Sequence, residues 1–462
     1  MVISRDGGEE MKEQNAEVRY LFSNRDLKRL ILPLLIEQLL AITVGMADSI
    51  MVSSVGEAAV SGVSLVDTIF VLLINIFTAL ATGGAVVCGQ YLGKKRPEKA
   101  CEAADQLVLA TGVLSVIVMG IMYALRLFIL NVVFGHIEPE VWNCCNTYLL
   151  IVSASIPFIS LYNAGAAIFR AQGDSKTPMK MSLIMNGINI TGNAILLYGL
   201  HFGVEGAAIP TLVARIFAAA AILRRAYRQD HELHLTRPMV WKADWAMLKR
   251  ILHIGVPNGL ENSMFQLGKI LVLSLVTQFG TAAIAANAVS NTIAVFQTLP
   301  GMAMGNAILT VCAQCVGANE YGQVRYYTKK LLGIIYAGLV VSCIAVILVM
   351  PLILNVYSLS PEATEMTKQI LIYHGICTML IWPLSFSLPN TLRASNDVTF
   401  CMVLSIFSMW VFRIGFSYVL GAVLELGVFG VWVAMTIDWA VRSVCFLVRY
   451  LHGKWEKKPQ AV

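Results

Sequence analysis

The sequence predicts an all-α integral membrane protein: twelve transmembrane helices in two parallel six-helix repeats, an N-lobe and a C-lobe, around a central cavity. Three observations predict it. Of 462 residues, 57% are hydrophobic and only 13% are charged, where a soluble domain carries roughly 25% charged. Twelve apolar stretches are long enough to cross a bilayer, which takes about 20 residues. The second half of the chain also repeats the first. So little charge could not cover a soluble globule of this size. The composition equally excludes disordered, collagen-like and disulfide-stapled classes.

Taken in order, residues 1–29 are polar and charged, and the first apolar run follows without a small-residue cleavage site. They read as a cytoplasmic tail, not a signal peptide. Span 1 (30–54) carries Pro33 and Asp48. Span 2 (63–88) ends before the basic cluster Lys94, Lys95, Arg96 and Lys99. Spans 3 (105–134) and 4 (141–168) are joined by a connection without Lys or Arg. Span 5 (179–200) carries Asn186, Asn189 and Asn193, and span 6 (206–226) closes the N-lobe, 30–226. Residues 227–247 are a cytoplasmic linker inside the basic stretch Arg224–Lys249. Spans 7 (248–278), 8 (283–315), 9 (329–356), 10 (366–392), 11 (398–421) and 12 (427–450) make the C-lobe, 248–450. Residues 451–462 form a second cytoplasmic tail.

Lys and Arg set the orientation. The start of the chain holds Arg5, Lys12, Arg19, Arg25, Lys28 and Arg29, and the even-numbered connections are basic throughout. The odd-numbered connections are nearly bare, with Lys368 in the ninth as the exception. Both termini are therefore expected on the cytoplasmic side of a prokaryotic inner membrane. The net charge of +6 lies in these short runs. A nucleic-acid binder would gather it on one face with aromatics between. The ten cysteines lie mostly inside apolar stretches. Cys312 and Cys315 have no second CxxC or His cluster to complete a zinc site, so they read as small packing residues.

An offset of 224 residues aligns Gly56–Gly93 with Gly280–Gly317 without a gap. Eleven of 38 positions are identical, where chance gives roughly three. The offset pairs Pro33 with Pro257, Glu37 with Glu261, and Gln90 and Gly93 with Gln314 and Gly317. Arg170 and Asp174 meet Arg393 and Asp397 within one residue. Six spans per repeat mean that both halves enter the membrane from the same side, so the repeats are parallel. Two such bundles facing each other suit a transporter. No Walker A, HExxH or GxSxG motif is present, so neither direct ATP drive nor enzyme chemistry is expected, and no cofactor.

Ionisable residues inside spans are expensive and usually functional. Asp48 is a candidate for binding Na⁺ through its oxygens or for taking a proton. Asn189 and Asn193 share a helix face at i, i+4 and offer neutral amide oxygens. Glu37 and Glu261 hold equivalent places in the two repeats and are candidate cavity carboxylates for organic cations. Asp67 pairs through the repeat with Asn291. Lys269 lies two turns beyond Glu261 and reads as structural. Arg413 and the i, i+4 pair Asp438 and Arg442 read as a structural ion network.

The motifs Pro33 with Ala47-Asp48-Ser49-Ile50-Met51-Val52, Gly89-Gln90-Tyr91-Leu92-Gly93, Phe169–Pro178 and Gly203–Ala208 together resemble the MATE (multidrug and toxic compound extrusion) transporters over about 27–450. The pattern is closer to the bacterial DinF-like side. The resemblance implies a secondary antiporter that exports organic cations, drugs or toxic metabolites in exchange for Na⁺ or H⁺. It carries the family's N-lobe cation site onto Asp48, Asn189, Asn193 and Thr211, with Asn163 nearest to its span-4 asparagine. Some members have an aspartate where Asn193 stands. The family's span-7 glutamate position falls on Gln266, placed here with the substrate cavity, and its span-10 aspartate position falls near Trp382. Coupling through the C-lobe is therefore not implied unless Glu261 substitutes. The expected partners are small organic cations or metabolites and membrane lipids, with a monomer as the default. Three rivals are an exporter of one dedicated metabolite, a lipid-linked precursor flippase of the wider superfamily, and a non-transporting membrane protein such as a sensor, which no soluble signalling domain supports. Flippases of that kind usually carry extra spans and strongly cationic cavities.

Overall fold

The computed structural model describes residues 20–135, 137–236, 242–357 and 359–458. Arg5, Lys12 and Arg19 of the first tail, Arg237 of the linker and residues 459–462 lie outside them.

Twelve helical spans follow one another. They are α1 (Asn24–Ser53), α2 (Glu57–Gly93), α3 (Pro97–Ala124), α4 in two pieces (Pro139–Ser153 and Ile156–Ala171), α5 (Lys176–Asn193) and α6 (Glu205–Ala226). After the linker come α7 (Trp245–Val276), α8 (Thr281–Gly317), α9 (Tyr321–Tyr357), α10 in two pieces (Pro361–Leu380 and Leu388–Ala394), α11 (Val398–Ser408) and α12 (Gly427–Leu451). The repeat is kept to the residue where it matters most. The bounds of α8 are those of α2 advanced by 224.

Local chemistry sets the ends. Ser23 Oγ accepts from Asp26 N (3.2 Å) while Asp26 Oδ2 accepts from Ser23 N (2.9 Å), a reciprocal cap that starts α1. Asp244 Oδ1 accepts from Ala246 N and Met247 N and starts α7.

The sequence reads α4 and α10 as single stretches. The structure bends them by 47° and 59°. Pro157 begins the second piece of α4, and Pro383 opens the π-wound turn Pro383–Ser387 inside α10. Each proline has no N–H to donate to the carbonyl one turn back, and its ring crowds that carbonyl, so the helix breaks there. Wider π winding also follows α3 at Ile129–Val133, α5 at Ala194–Gly199 and α11 at Met409–Gly415.

Among the described residues, seven of these helices, α11 with its π-wound continuation (Val398–Val423), and the two bent pairs are long and apolar enough to cross a membrane. The two left over are α5 and α7. They are the spans loaded with Asn186, Asn189 and Asn193, and with Asn258, Glu261, Asn262, Gln266 and Lys269. Elsewhere the outer faces are apolar and bare, as on α9 at Val341, Leu348 and Leu352. That pattern suits lipid, which offers backbone groups no hydrogen bonds and apolar side chains no penalty.

The core divides unevenly. One cluster joins both lobes, with Leu30, Leu34 and Val87 packed among Ile251, Ile254, Met304 and Ala307. It also takes in Leu235 of the linker and Trp455 after α12, so it lies at the end carrying both termini. Toward the opposite end each lobe has its own core. Met51, Phe70, Phe77 and Leu149 form one, and Leu275, Ile293, Leu354 and Trp432 the other. The lobes are thus joined at the terminus-bearing end and independent at the other.

Two glycines set the joint. A Cβ on Gly93 would lie 2.0 Å from Gln314 O, and a Cβ on Gly317 would lie 2.0 Å from Gln90 O. Only glycine lets α2 and α8 cross this closely. The neighbouring glutamines then reach across in matching fashion. Gln90 Nε2 donates to Ala394 O (2.8 Å), and Gln314 Nε2 donates to Ala171 O (2.6 Å). Outside this joint the chain clasps each lobe with the other's lead-in. Leu21 N donates to Gln323 Oε1, and Phe22 N to Tyr327 Oη, both at 2.9 Å. In the N-lobe, Gln106 Nε2 donates to Lys242 O (2.9 Å) of the linker, and Asp105 accepts from Thr236.

Candidate functional site

The candidate site lies inside the N-lobe, where α1, α2, α4, α5 and α6 converge. Asp48 is half-buried on α1. Asn193 Nδ2 donates to its Oδ1 at 2.9 Å. One turn back on the same face, the Asn189 amide sits between Asp48 and Thr211, and its two ends are assigned from their neighbours. With the nitrogen turned to an ionised Asp48, it donates at 2.8 Å to Oδ1 while its oxygen accepts from Thr211 Oγ1 at 3.0 Å.

Around this centre, Tyr148 Oη donates to Asp67 Oδ1 (3.2 Å). Arg215 of α6 lies within electrostatic reach of Asp48, Asp67 and Tyr148, and its Nη1 donates to Ser155 Oγ at the break in α4 (2.7 Å). Two acids facing one arginine leave the pocket net negative. The Asn193 Oδ1 atom is buried without a partner. A buried acceptor of this kind is costly unless something donates to it or coordinates it. Asp48, Asn193 Oδ1, the Asn189 amide and Thr211 Oγ1 are all hard oxygen ligands of the type Na⁺ takes. Among the described residues no group of three or more His, Cys, Asp or Glu could hold a metal ion.

The other expected residues fall elsewhere. Glu37 accepts from Arg170 Nη2 at 2.6 Å. Glu261 accepts from Arg393 Nη2 with both oxygens at 2.8 Å. The repeat-related glutamates are thus in repeat-related ion pairs, and their charges are neutralised within each lobe. Asn163 lies apart from Asp48, in the cleft between α2, α4 and α8 beside Thr78 and Asn306. Gln266 is half-buried on α7. Asp438 and Arg442 approach to 3.9 Å, and Ser408 Oγ donates to Asp438 Oδ1 at 2.5 Å. Sequence reasoning missed Tyr148, the role of Arg215 and the two glutamate–arginine pairs. The pairs had a signal: one offset relates both the glutamates and the arginines.

A two-lobed bundle of spans, joined at one end and holding a polar pocket at membrane depth, defines a multi-pass membrane transporter. The MatE family model matches the chain twice, at residues 33–195 and 257–419. The two matches are offset by the same 224 residues that relate the lobes. The chain belongs to the MatE family. It is 27% identical over 452 residues to the probable multidrug resistance protein YoeA of Bacillus subtilis, covering 94% of each chain. It is 24% identical to the probable multidrug resistance protein NorM of Thermotoga maritima, covering 97% of this chain and 95% of that one. Solved structures of the same fold include a MATE protein in a bent conformation (TM-score 0.85, 21% identity, 95% and 97% covered). Another is described as the outward-facing conformation of a multidrug resistance MATE family transporter (TM-score 0.84, 22% identity, 94% and 96% covered).

Proposed function

We propose that this protein is a cation-coupled antiporter that exports organic cations or toxic metabolites, exchanging them for Na⁺ or H⁺ at Asp48. The observation that carries the reading is the Asp48 carboxylate, held at membrane depth by two amides on one helix face. The names of the relatives support drug export as the substrate class. The Lys and Arg bias supports cytoplasmic termini, which makes the joined end cytoplasmic and the cleft outward-facing.

The mechanism follows from what α1 touches. At one end α1 meets α5 through the Asp48–Asn193 hydrogen bond. At the other, Leu27, Leu30 and Leu34 belong to the core shared with the C-lobe. Neutralising Asp48 changes its bonds to α5, and α1 carries that change to the lobe joint. A coupling ion resets the lobes only if it binds the two arrangements with different affinity. A titratable or ligating carboxylate whose partners sit on a separate helix provides that difference.

The test is ethidium efflux from proteoliposomes under an imposed Na⁺ or pH gradient. Asp48→Asn should lower gradient-driven efflux by at least tenfold, about 1.4 kcal/mol or more in coupling, while protein yield and Tm hold. Efflux equal to wild type in that variant would exclude Asp48 as the coupling site.

A further inference from the structure

Advancing the N-lobe site by 224 residues lands on a second pocket in the C-lobe. Asp48, Asp67, Asn189 and Thr211 become Val272, Asn291, Arg413 and Met435. All four line one cavity of about 200 Å³, together with Lys269, Asn287 and Trp432. The location is the same and the charge is reversed: Asp48, Asp67 and the N-lobe base Arg215 become Val272, Asn291 and Trp439, while Arg413 and Lys269 stand where the N-lobe has Asn189 and Gly45.

The two bases have no carboxylate partner among the described residues. Asp438, the acid with the strongest pull on Arg413, pairs with Arg442 and accepts from Ser408. Glu261, on the same helix as Lys269, is taken up by both oxygens on Arg393. Arg413 is only 9% exposed, and its Nη1 is buried with no acceptor. Instead, Arg413 and Lys269 lie over the same Phe265 ring, at 4.8 and 5.1 Å from its centre. A cation–π contact contributes about 0.5–2 kcal/mol. Desolvating a charge costs several kcal/mol. For the buried Arg413, one ring shared with a second cation does not offset that cost, whereas an anion between Arg413 and Lys269 would.

Neutral donors complete the pocket. Trp432 Nε1 donates to Asn287 Oδ1 (3.1 Å), which leaves the Asn287 nitrogen as a donor. Val272, Leu273, Val431 and Met435 supply apolar wall. A volume of about 200 Å³, against roughly 30 Å³ for one water in the liquid, holds a carboxylate with a short apolar or aromatic stem.

We propose that this C-lobe cavity is an anion site, in which Arg413 and Lys269 bind the carboxylate of a small apolar acid. On this reading the molecule handles solutes that carry negative charge, alone or as zwitterions, and is not confined to simple cations. The proposal stands apart from cation coupling at Asp48, because its readout is binding without a gradient.

The test is calorimetric titration of the full-length protein in detergent with sodium benzoate, its neutral isostere benzamide, and sodium chloride. Benzoate should bind at least tenfold more tightly than benzamide. Lys269→Gln should weaken benzoate at least fivefold, and Arg413→Gln should abolish its binding. Lys269→Glu should abolish it too, and Lys269 is exposed enough that this variant tests the site even if Arg413→Gln fails to fold. Chloride that displaces benzoate at millimolar concentration would identify an inorganic anion as the occupant of the same site. Equal binding of benzoate and benzamide, no benzoate binding by wild type, or benzoate binding unchanged in the Lys269 variants would overturn the proposal.

Discussion

The two lobes share a backbone plan and differ in what they hold. Where α2 and α8 cross, both halves keep the same glycine and the same glutamine. Gly93 and Gly317 permit the crossing, and Gln90 and Gln314 bridge it. Glu37–Arg170 and Glu261–Arg393 repeat the same ion pair in the same place. At membrane depth inside each lobe, the halves part. The N-lobe presents Asp48 and Asp67, and the C-lobe presents Lys269 and Arg413. A joint used by both lobes is constrained by its partner's shape, so both copies must remain complementary. A pocket enclosed within one lobe has no such partner, and its charge is free to reverse.

The comparison can be broken hardest at the joint. Gly93→Leu sets a side chain against the Gln314 carbonyl, where even a Cβ would lie 2.0 Å away. The helices must separate, and we expect cysteines introduced at the ends of α2 and α8 nearest the joint to become labelled. Gly317→Leu should do the same, because the contact is reciprocal. Labelling unchanged in both would mean that the lobes are not held there.

Next comes the ion pair. Arg393→Met leaves Glu261 buried without its partner, which typically costs about 3–5 kcal/mol. A Tm fall of several degrees is expected, and Glu261→Gln combined with Arg393→Met should recover most of it. Arg170→Met with Glu37→Gln should behave alike. A Tm unmoved by Arg393→Met would mean that water reaches Glu261.

The smallest effect belongs to the bridging glutamines. Gln314→Ala removes one hydrogen bond, worth about 0.5–1.5 kcal/mol net, and leaves Ala171 O without its partner. Labelling at the joint should rise only a few-fold. Gln90→Ala should raise it somewhat more, because Gln90 Nε2 donates to Asn396 Oδ1 (3.2 Å) as well as to Ala394 O. A larger effect from Gln314→Ala than from Gln90→Ala would show that these hydrogen bonds do not hold the joint.

Much of the fold was legible because membrane spans announce themselves. Each needs a run of apolar residues, and the turns between them carry the charge. Even α5 and α7, whose polar side chains lower their hydropathy, stand between clear neighbours. The bends of α4 and α10 were not legible. Pro157 and Pro383 permit a break, but other prolines such as Pro210, Pro257 and Pro300 sit inside unbroken helices. Packing decides which prolines bend their helix. In the site, the Asn189–Asn193 face followed from helical spacing alone. The partners of Glu37 did not, because Arg170 lies 133 residues away along the chain.

The sequence by itself determined the solvent, the number of spans, the parallel duplication and the family. These depend on composition and on spacing along one chain. Only the tertiary structure decided that Glu37 and Glu261 are paired with arginines, that Asp48 is held by two amides of α5, and that the C-lobe counterpart of its pocket is basic. Those outcomes depend on the register between helices far apart in sequence. That register is set by close packing of side chains against backbone, as at Gly93 and Gly317, and no local pattern encodes it.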